Sequence, residues 1–196
     1  MFIELTDILR CPAAHDEQYL VLVPYDMSER MVNTGRLGCP SCLREYEIVN
    51  GEIQFSSAGA AVGNVEPAGV DGSALAALLG LSGPGGYVAM VGDIVGRGPE
   101  LVAAVSGVHF LGINAPAGTV ELPMLSLARA DIIPTRSRSL RGVILGGPYA
   151  ESIGWQEEAV RTVLPGLRIV GQGPTPGPGM VHVLAEAAGW WVGQRS

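Results

Sequence analysis

The chain has 196 residues, room for one ordinary domain and a small module, and 47% are hydrophobic against 16% charged, which excludes a disordered chain. A formal net charge of -7 excludes a general nucleic-acid binder, whose phosphate contacts need clustered cations. All twelve basic residues are arginine, a composition bias that also removes lysine chemistry; no apolar run reaches the roughly 20 residues of a membrane span, and Met1–Arg10 lacks a basic leader, so the expected setting is cytoplasmic.

Three cysteines lie in the first quarter: Cys11, then Cys39 and Cys42 in "CPSC". An odd count suits no disulfide framework in a cytosolic chain, whereas a Cys-x-x-Cys turn with a distant ligand is a zinc arrangement. The turn sets two thiolates on one side of a knuckle, and a second knuckle supplies the rest of a tetrahedron. That upstream knuckle, "LRCPAAHDE", has Ala14 where a second cysteine would stand. His15 is therefore the candidate fourth ligand, with Asp16 second, because imidazole suits zinc. The alternative is a ribbon without metal whose cysteines pack as small buried hydrophobes. Strands are predicted near Leu20–Pro24, Met31–Leu37 and Glu45–Val49. Ser56–Gly72, small, glycine-rich and aperiodic, reads as a linker. A helix follows over Ser73–Leu79, capped by Ser73.

The stretch Gly83–Leu101, "GPGGYVAMVGDIVGRGPEL", runs strand, glycine-rich loop, helix. Glycines let a backbone approach a nucleotide closely, and the helix that follows presents unpaired N–H groups. Strands are predicted at Tyr87–Val91, Val108–Ile113, Ile132–Ile133, Gly142–Leu145, Leu167–Val170 and Trp190–Gly193. Helices are predicted at Pro99–Ser106, Met124–Arg129, Trp155–Val163 and Val183–Ala188. Such alternation, with apolar β-branched strands, implies an α/β fold with a mainly parallel sheet covered on both faces.

"LTDILRCP" followed by "LGCPSCLREYEIVNGEIQF" is similar to the zinc-ribbon family that includes the activator subunits of tRNA and protein methyltransferases. Cys11, Pro12, Cys39, Cys42, Tyr46, Ile48, Gly51 and Ile53 fall in register with it. From about Ser73 to Gln194 the order and wording resemble class I methyltransferases that use S-adenosylmethionine. "LLGLSGPGGYVAMVGD", "VHFLGIN", "ADIIPTRSRSLRGVIL", "EEAVRTVLPGLRIV" and "LAEAAGWWV" carry that likeness. The two resemblances imply a zinc-ribbon-like domain over residues 1–55, a linker over 56–72 and a truncated Rossmann-like domain over 73–196. The ribbon resemblance implies zinc on Cys11, Cys39 and Cys42 and departs from the family at Ala14, so that His15 is the candidate substitute that completes the set. The second domain is short for a seven-stranded methyltransferase and is expected to lack the final hairpin strand.

The methyltransferase resemblance implies a cofactor site near Gly85, Gly86, Gly92, Asp93, Asn114 and Asp131. Met90 stands where that family carries the acid of its first motif, Asn114 where an acid accepts both ribose hydroxyls, and Arg141 where the fourth strand usually begins with Asp. Asp131 alone survives, at the position that faces the adenine amine. Each lost charged hydrogen bond costs about 1.5 to 3 kcal/mol, so two losses weaken binding by roughly two to four decades. The expectation is weak or absent S-adenosylmethionine binding and a non-catalytic binding, scaffold or regulatory module whose ligand is a protein or a small molecule. The alternative is an active methyltransferase with atypical cofactor contacts and a ribbon that aids substrate binding. A second register, with Gly96 and Gly98 in the turn, brings Asp93 to a nucleotide loop. His109 reads as a packed or edge histidine. His182 follows "GQGPTPGPGM", a surface loop or a lid. Trp190 and Trp191 point to opposite faces, one into the core and one toward a homodimer contact.

Overall fold

The computed structural model describes residues 1–56 and 69–196, so most of the expected linker, 57–68, lies outside the described residues. Strands β1 (Val21–Ser28) and β2 (Met31–Gly38) pair antiparallel, β3 (Glu45–Val49) joins β2, and β4 (Glu52–Gln54) joins β3. The β3–β4 turn is Asn50-Gly51, with φ of 49° and 82°, the left-handed pair that a two-residue type I′ hairpin requires. Periodicity does not announce β4, which is only three residues long.

The other strands are β5 (Tyr87–Val91), β6 (His109–Ile113), β7 (Leu125–Arg129), β8 (Leu140–Leu145), β9 (Val163–Gln172), β10 (His182–Ala187) and β11 (Trp190–Gln194). Among the described residues these eleven strands form one sheet in the order β1-β2-β3-β4-β7-β6-β5-β8-β9-β11-β10. β5 to β9 run parallel, β4 adds to β7 in parallel through Ile53 opposite Ala128 and Gln54 opposite Arg129, and β11 lies antiparallel between β9 and β10. Helices are α1 (Gly72–Leu79), α2 (Gly98–Ala104) and α3 (Ile153–Thr162). The period of two sorts each central strand between two cores. Val88, Met90, Phe110 and Ile144 pack with α1 and α2, while Ala89, Val91, Leu111 and Val143 pack with α3. The architecture is therefore a mixed α/β, Rossmann-like sheet with a β-rich N-terminal module. Among the described residues no helix is long and apolar enough to cross a membrane.

The N-terminal segment is built into this core. Met1, Leu5, Ile8 and Leu9 share the α3-side cluster with β5, β6 and β8. Leu9 bridges to Thr135, Arg10 N–H donates to the Pro134 carbonyl and Arg136 N–H to the Ile8 carbonyl, along a β7–β8 connection that carries no helix. Phe2 N–H donates to Ser126 Oγ at 2.8 Å, and the Phe2 ring stacks on His109 at 4.5 Å.

Several sequence expectations change. Met124–Arg129 is strand β7, not a helix, because Leu125 and Leu127 are buried on one face while Ser126 and Ala128 are buried on the other; a short apolar run buried on both faces has no diagnostic period. Val183–Ala188 is β10, not a helix: Ala188 and Gly189, with φ of 52° and 76°, reverse the chain into β11. The final hairpin expected to be missing is therefore present; what the sheet lacks is helix, since the β6–β7, β7–β8 and β9–β10 connections carry none. Ile132–Ile133 forms no strand, and Ile133 is a core residue. Asp71, not Ser73, caps α1, accepting from Ala74 N–H at 2.8 Å. Trp190 and Trp191 are both buried and point to opposite faces of the sheet, each into one of the two cores.

Candidate functional site

Two places bring sequence-predicted residues together. The first is the knuckle after β2. Leu43 N–H bonds the Cys39 carbonyl and Cys39 N–H bonds the Arg44 carbonyl, which folds the Cys-x-x-Cys turn back on itself. Cys11 arrives from the N-terminal segment, whose strand-like bridge from Arg10 to Tyr19 places His15 in the loop between. The ligand atoms of Cys11, His15, Cys39 and Cys42 lie within 4.8 Å of one another. Cys11 Sγ is 3.7 Å from Cys42 Sγ, and Cys39 Sγ is 3.5 Å from His15 Nε2. A tetrahedral zinc with Zn–S near 2.3 Å and Zn–N near 2.05 Å has edges of about 3.8 Å for sulfur to sulfur and about 3.5 Å for sulfur to nitrogen. The spacing fits that ion.

Outer contacts fit as well. His15 Nδ1 lies 2.6 Å from the Asp16 carbonyl, which leaves Nε2 free as the ligating nitrogen. Tyr46 hydroxyl is 3.2 Å from Cys11 Sγ. The Arg44 backbone N–H, the largest of several hydrogen bonds, draws the Cys42 thiol down to about 7, while burial pushes the Cys11 thiol up. Three free thiols and one imidazole are a soft donor set of the kind that closes structural zinc sites.

The second place is the crevice beyond the C-terminal ends of β5, β6 and β8, where parallel α/β sheets hold ligands. Gly92, with φ of 84°, begins a 3-10 turn over Gly92–Arg97; a Cβ there would lie 2.6 Å from both the Gly147 carbonyl and the Tyr149 ring. Tyr149 thus covers Gly92, with its ring held edge-on by Trp155 at 4.9 Å. Asn114, at φ of 55°, donates from Nδ2 to the Ala130 carbonyl at 2.8 Å and accepts Ala130 N–H at 3.0 Å. Its amide thereby copies one more step of the β6–β7 ladder, with one N–H and one lone pair committed to Ala130. Asp93 is buried, its carboxyl pushed up by burial and turned toward the backbone N–H groups of Ile94 and Gly147. An acid so placed occupies the kind of backbone concavity that takes a ligand's anionic group. Asp131 stands exposed nearby.

Gly85 and Gly86 are not part of this crevice. They precede β5 and so sit at the opposite end of the sheet from Gly92. Arg141 explains them: its guanidinium donates to the carbonyls of Ser82, Gly83 and Gly85, and a Cβ on Gly86 would strike its side chain at 2.5 Å. Gly96 and Gly98, the turn of the second register, lie in the 3-10 turn and at the start of α2, where Leu125 crowds Gly98. Tyr149 escaped the sequence reading, although "GGPY" directly after a predicted strand was its visible signal.

No family model matches the chain, and no curated protein matches it in sequence. Solved structures do. One is the complex between the Trm112 methyltransferase activator of Haloferax volcanii and a methyltransferase, at 18% identity and TM-score 0.41, covering 51% of this chain and 50% of that one. Another is geranyl diphosphate C-methyltransferase from Streptomyces coelicolor, at 13% identity and TM-score 0.44, covering 51% and 43%. A third is phosphoethanolamine N-methyltransferase 2 from Haemonchus contortus, at 14% identity and TM-score 0.44, covering 59% and 32%. The chain spans half or less of the length of each.

Proposed function

We propose that this chain is a methyltransferase-like protein without catalysis, a binding, scaffold or regulatory module in which a zinc ribbon is built into the Rossmann-like sheet. The observation that carries the proposal is the self-filled crevice: Tyr149 covers Gly92 while the Asn114 amide is spent on Ala130. A carboxylate accepts both ribose hydroxyls at once, whereas Asn114 Oδ1 already accepts the Ala130 N–H and keeps a single lone pair. The loss of a second acid at Met90 works in the same direction, because that side chain is fully buried and apolar. The division into residues 1–55 and 73–196 becomes, on this view, a ribbon and a sheet whose pairing at β4 and β7 fixes one surface for a protein partner. The setting is cytoplasmic, where the thiols stay reduced for metal.

The ribbon holds one zinc on Cys11, His15, Cys39 and Cys42, where it ties the N-terminal segment to the β2–β3 knuckle. Elemental analysis of purified protein is expected to give one zinc per chain, and His15→Ala to lower retention against a chelator. A zinc-free native protein that unfolds at the same denaturant concentration as one loaded with zinc would refute this role. For the crevice, titration calorimetry of zinc-checked protein with S-adenosylmethionine and S-adenosylhomocysteine is expected to show no binding at millimolar ligand. Micromolar binding would instead establish the alternative, an active methyltransferase with atypical contacts.

A further inference from the structure

A cavity of about 400 Å³ opens between α1 and the β10–β11 hairpin, lined by no residue of the cysteine cluster or of the Gly92 crevice. Trp190 and Val192 form its floor and are 6% and 5% exposed. Its walls are shallow because Ala74 and Ala77 on α1 face Ala185 and Ala187 on β10, and a methyl group reaches too short a distance to close the gap. A buried α1 face of Leu75, Ala76 and Leu79 secures the helix to the sheet, so the alanine face is free of that duty. At about 30 Å³ per water-sized group, the space takes roughly a dozen heavy atoms.

Among the described residues one ionisable group lines the cavity. Asp71 Oδ1 accepts Ala74 N–H at 2.8 Å and the Ser73 hydroxyl at 2.7 Å, and the Ser73 N–H and the more distant Arg97 charge also act on the carboxylate. Those bonds, with the Ala74 N–H foremost, hold the Asp71 carboxyl below its ordinary range. An apolar trough with a single fixed negative charge at its rim is complementary to a small amphiphile with an apolar body and a cationic head. An anionic head would meet Asp71 and a chain already carrying a net charge of -7.

We infer that the α1/β10–β11 cavity binds a small apolar amine, with its body on Trp190 and its ammonium on Asp71. The probes are octylamine, octanol and octanoate, titrated calorimetrically into the full chain. The expected order is octylamine tightest, octanol about tenfold weaker and octanoate weaker still. Asp71→Asn keeps an N-cap residue and is expected to bring octylamine down to the level of octanol. Ala77→Phe, at an exposed helix position, is expected to abolish all binding without loss of thermal stability. Octanoate binding as tightly as octylamine would overturn the inference. So would octylamine binding that survives Ala77→Phe, or the absence of saturable binding by any probe at millimolar concentration.

Discussion

Acidification tests how the N-terminal segment is held. His109 is 3% exposed, stacked under Phe2, with Nε2 3.0 Å from Ser126 Oγ. Ser126 Oγ accepts Phe2 N–H and is hydrogen-bonded to Nε2, while Nδ1 is buried with no partner among the described residues. Burial, with a smaller contribution from the N-terminal charge, pushes the ring down to about 4 from 6.5. The unfolded chain takes up a proton below about 6.5 and the folded chain does not, so stability is complete above 6.5 and declines as pH falls toward 4. At about 1.36 kcal/mol per unit over about 2.5 units, the loss by pH 4 is about 3 kcal/mol. Carboxyls complicate the raw curve: Asp93 and Glu121 are pushed up by burial and act with the opposite sign. The measurement is therefore a difference, urea unfolding of wild type and His109→Gln at pH 7, 6, 5 and 4.5, since Gln can still bond Ser126 without titrating. The two stability curves should converge as pH falls. Parallel curves, or an imidazole resonance titrating near 6.5 in the folded protein, would refute the reasoning.

Three further outcomes follow from single contacts. Asn114→Asp restores an acid at the strand end, yet it should cost about 2 to 3 kcal/mol in denaturant and gain no S-adenosylmethionine binding, because a carboxylate cannot donate to the Ala130 carbonyl; tighter cofactor binding would count against the self-filled crevice. Ala188→Asn gives the β10–β11 turn an Asn-Gly pair where φ is already positive at both positions, and stability should rise by about 0.5 to 1 kcal/mol. Arg161, 22% exposed, bonds Glu17 at 3.1 Å, Glu158 at 2.8 Å and the carbonyls of Ile133 and Thr135. Arg161→Met removes the tie between the ribbon loop and α3, and the melting temperature should fall by about 5 to 10 °C, at roughly 3 kcal/mol lost.

The β-rich N-terminal module takes structural work that helices perform in other parallel sheets. Where the β7–β8 connection is bare, Ile8 and Leu9 supply the apolar cover and Arg10 the hydrogen bond. At the sheet's other flank β4 pairs with β7, reinforced by Glu52 to Arg129 at 2.8 Å. Removing residues 1–55 would therefore expose buried core as well as a sheet edge.

What the sequence determined by itself is whatever depends on local pattern and residue chemistry. Alternating or continuous apolar runs place β5, β6 and β8, and the softness of sulfur and imidazole selects Cys11, His15, Cys39 and Cys42 before any distance is known. The tertiary structure alone decided the rest. β7 and β10 are strands because of neighbours that bury or reverse them, and short apolar runs carry no period strong enough to say so. The glycines divide in the same way. Gly92 and Gly86 look alike in sequence and both have positive φ, but one sits under Tyr149 and the other beside Arg141, at opposite ends of the sheet. Asn114 could be read as a weakened ribose ligand until its amide was seen to bond Ala130, sixteen residues away. Such pairings depend on which strands lie side by side, and strand order is a property of the folded sheet that no local stretch of the chain encodes.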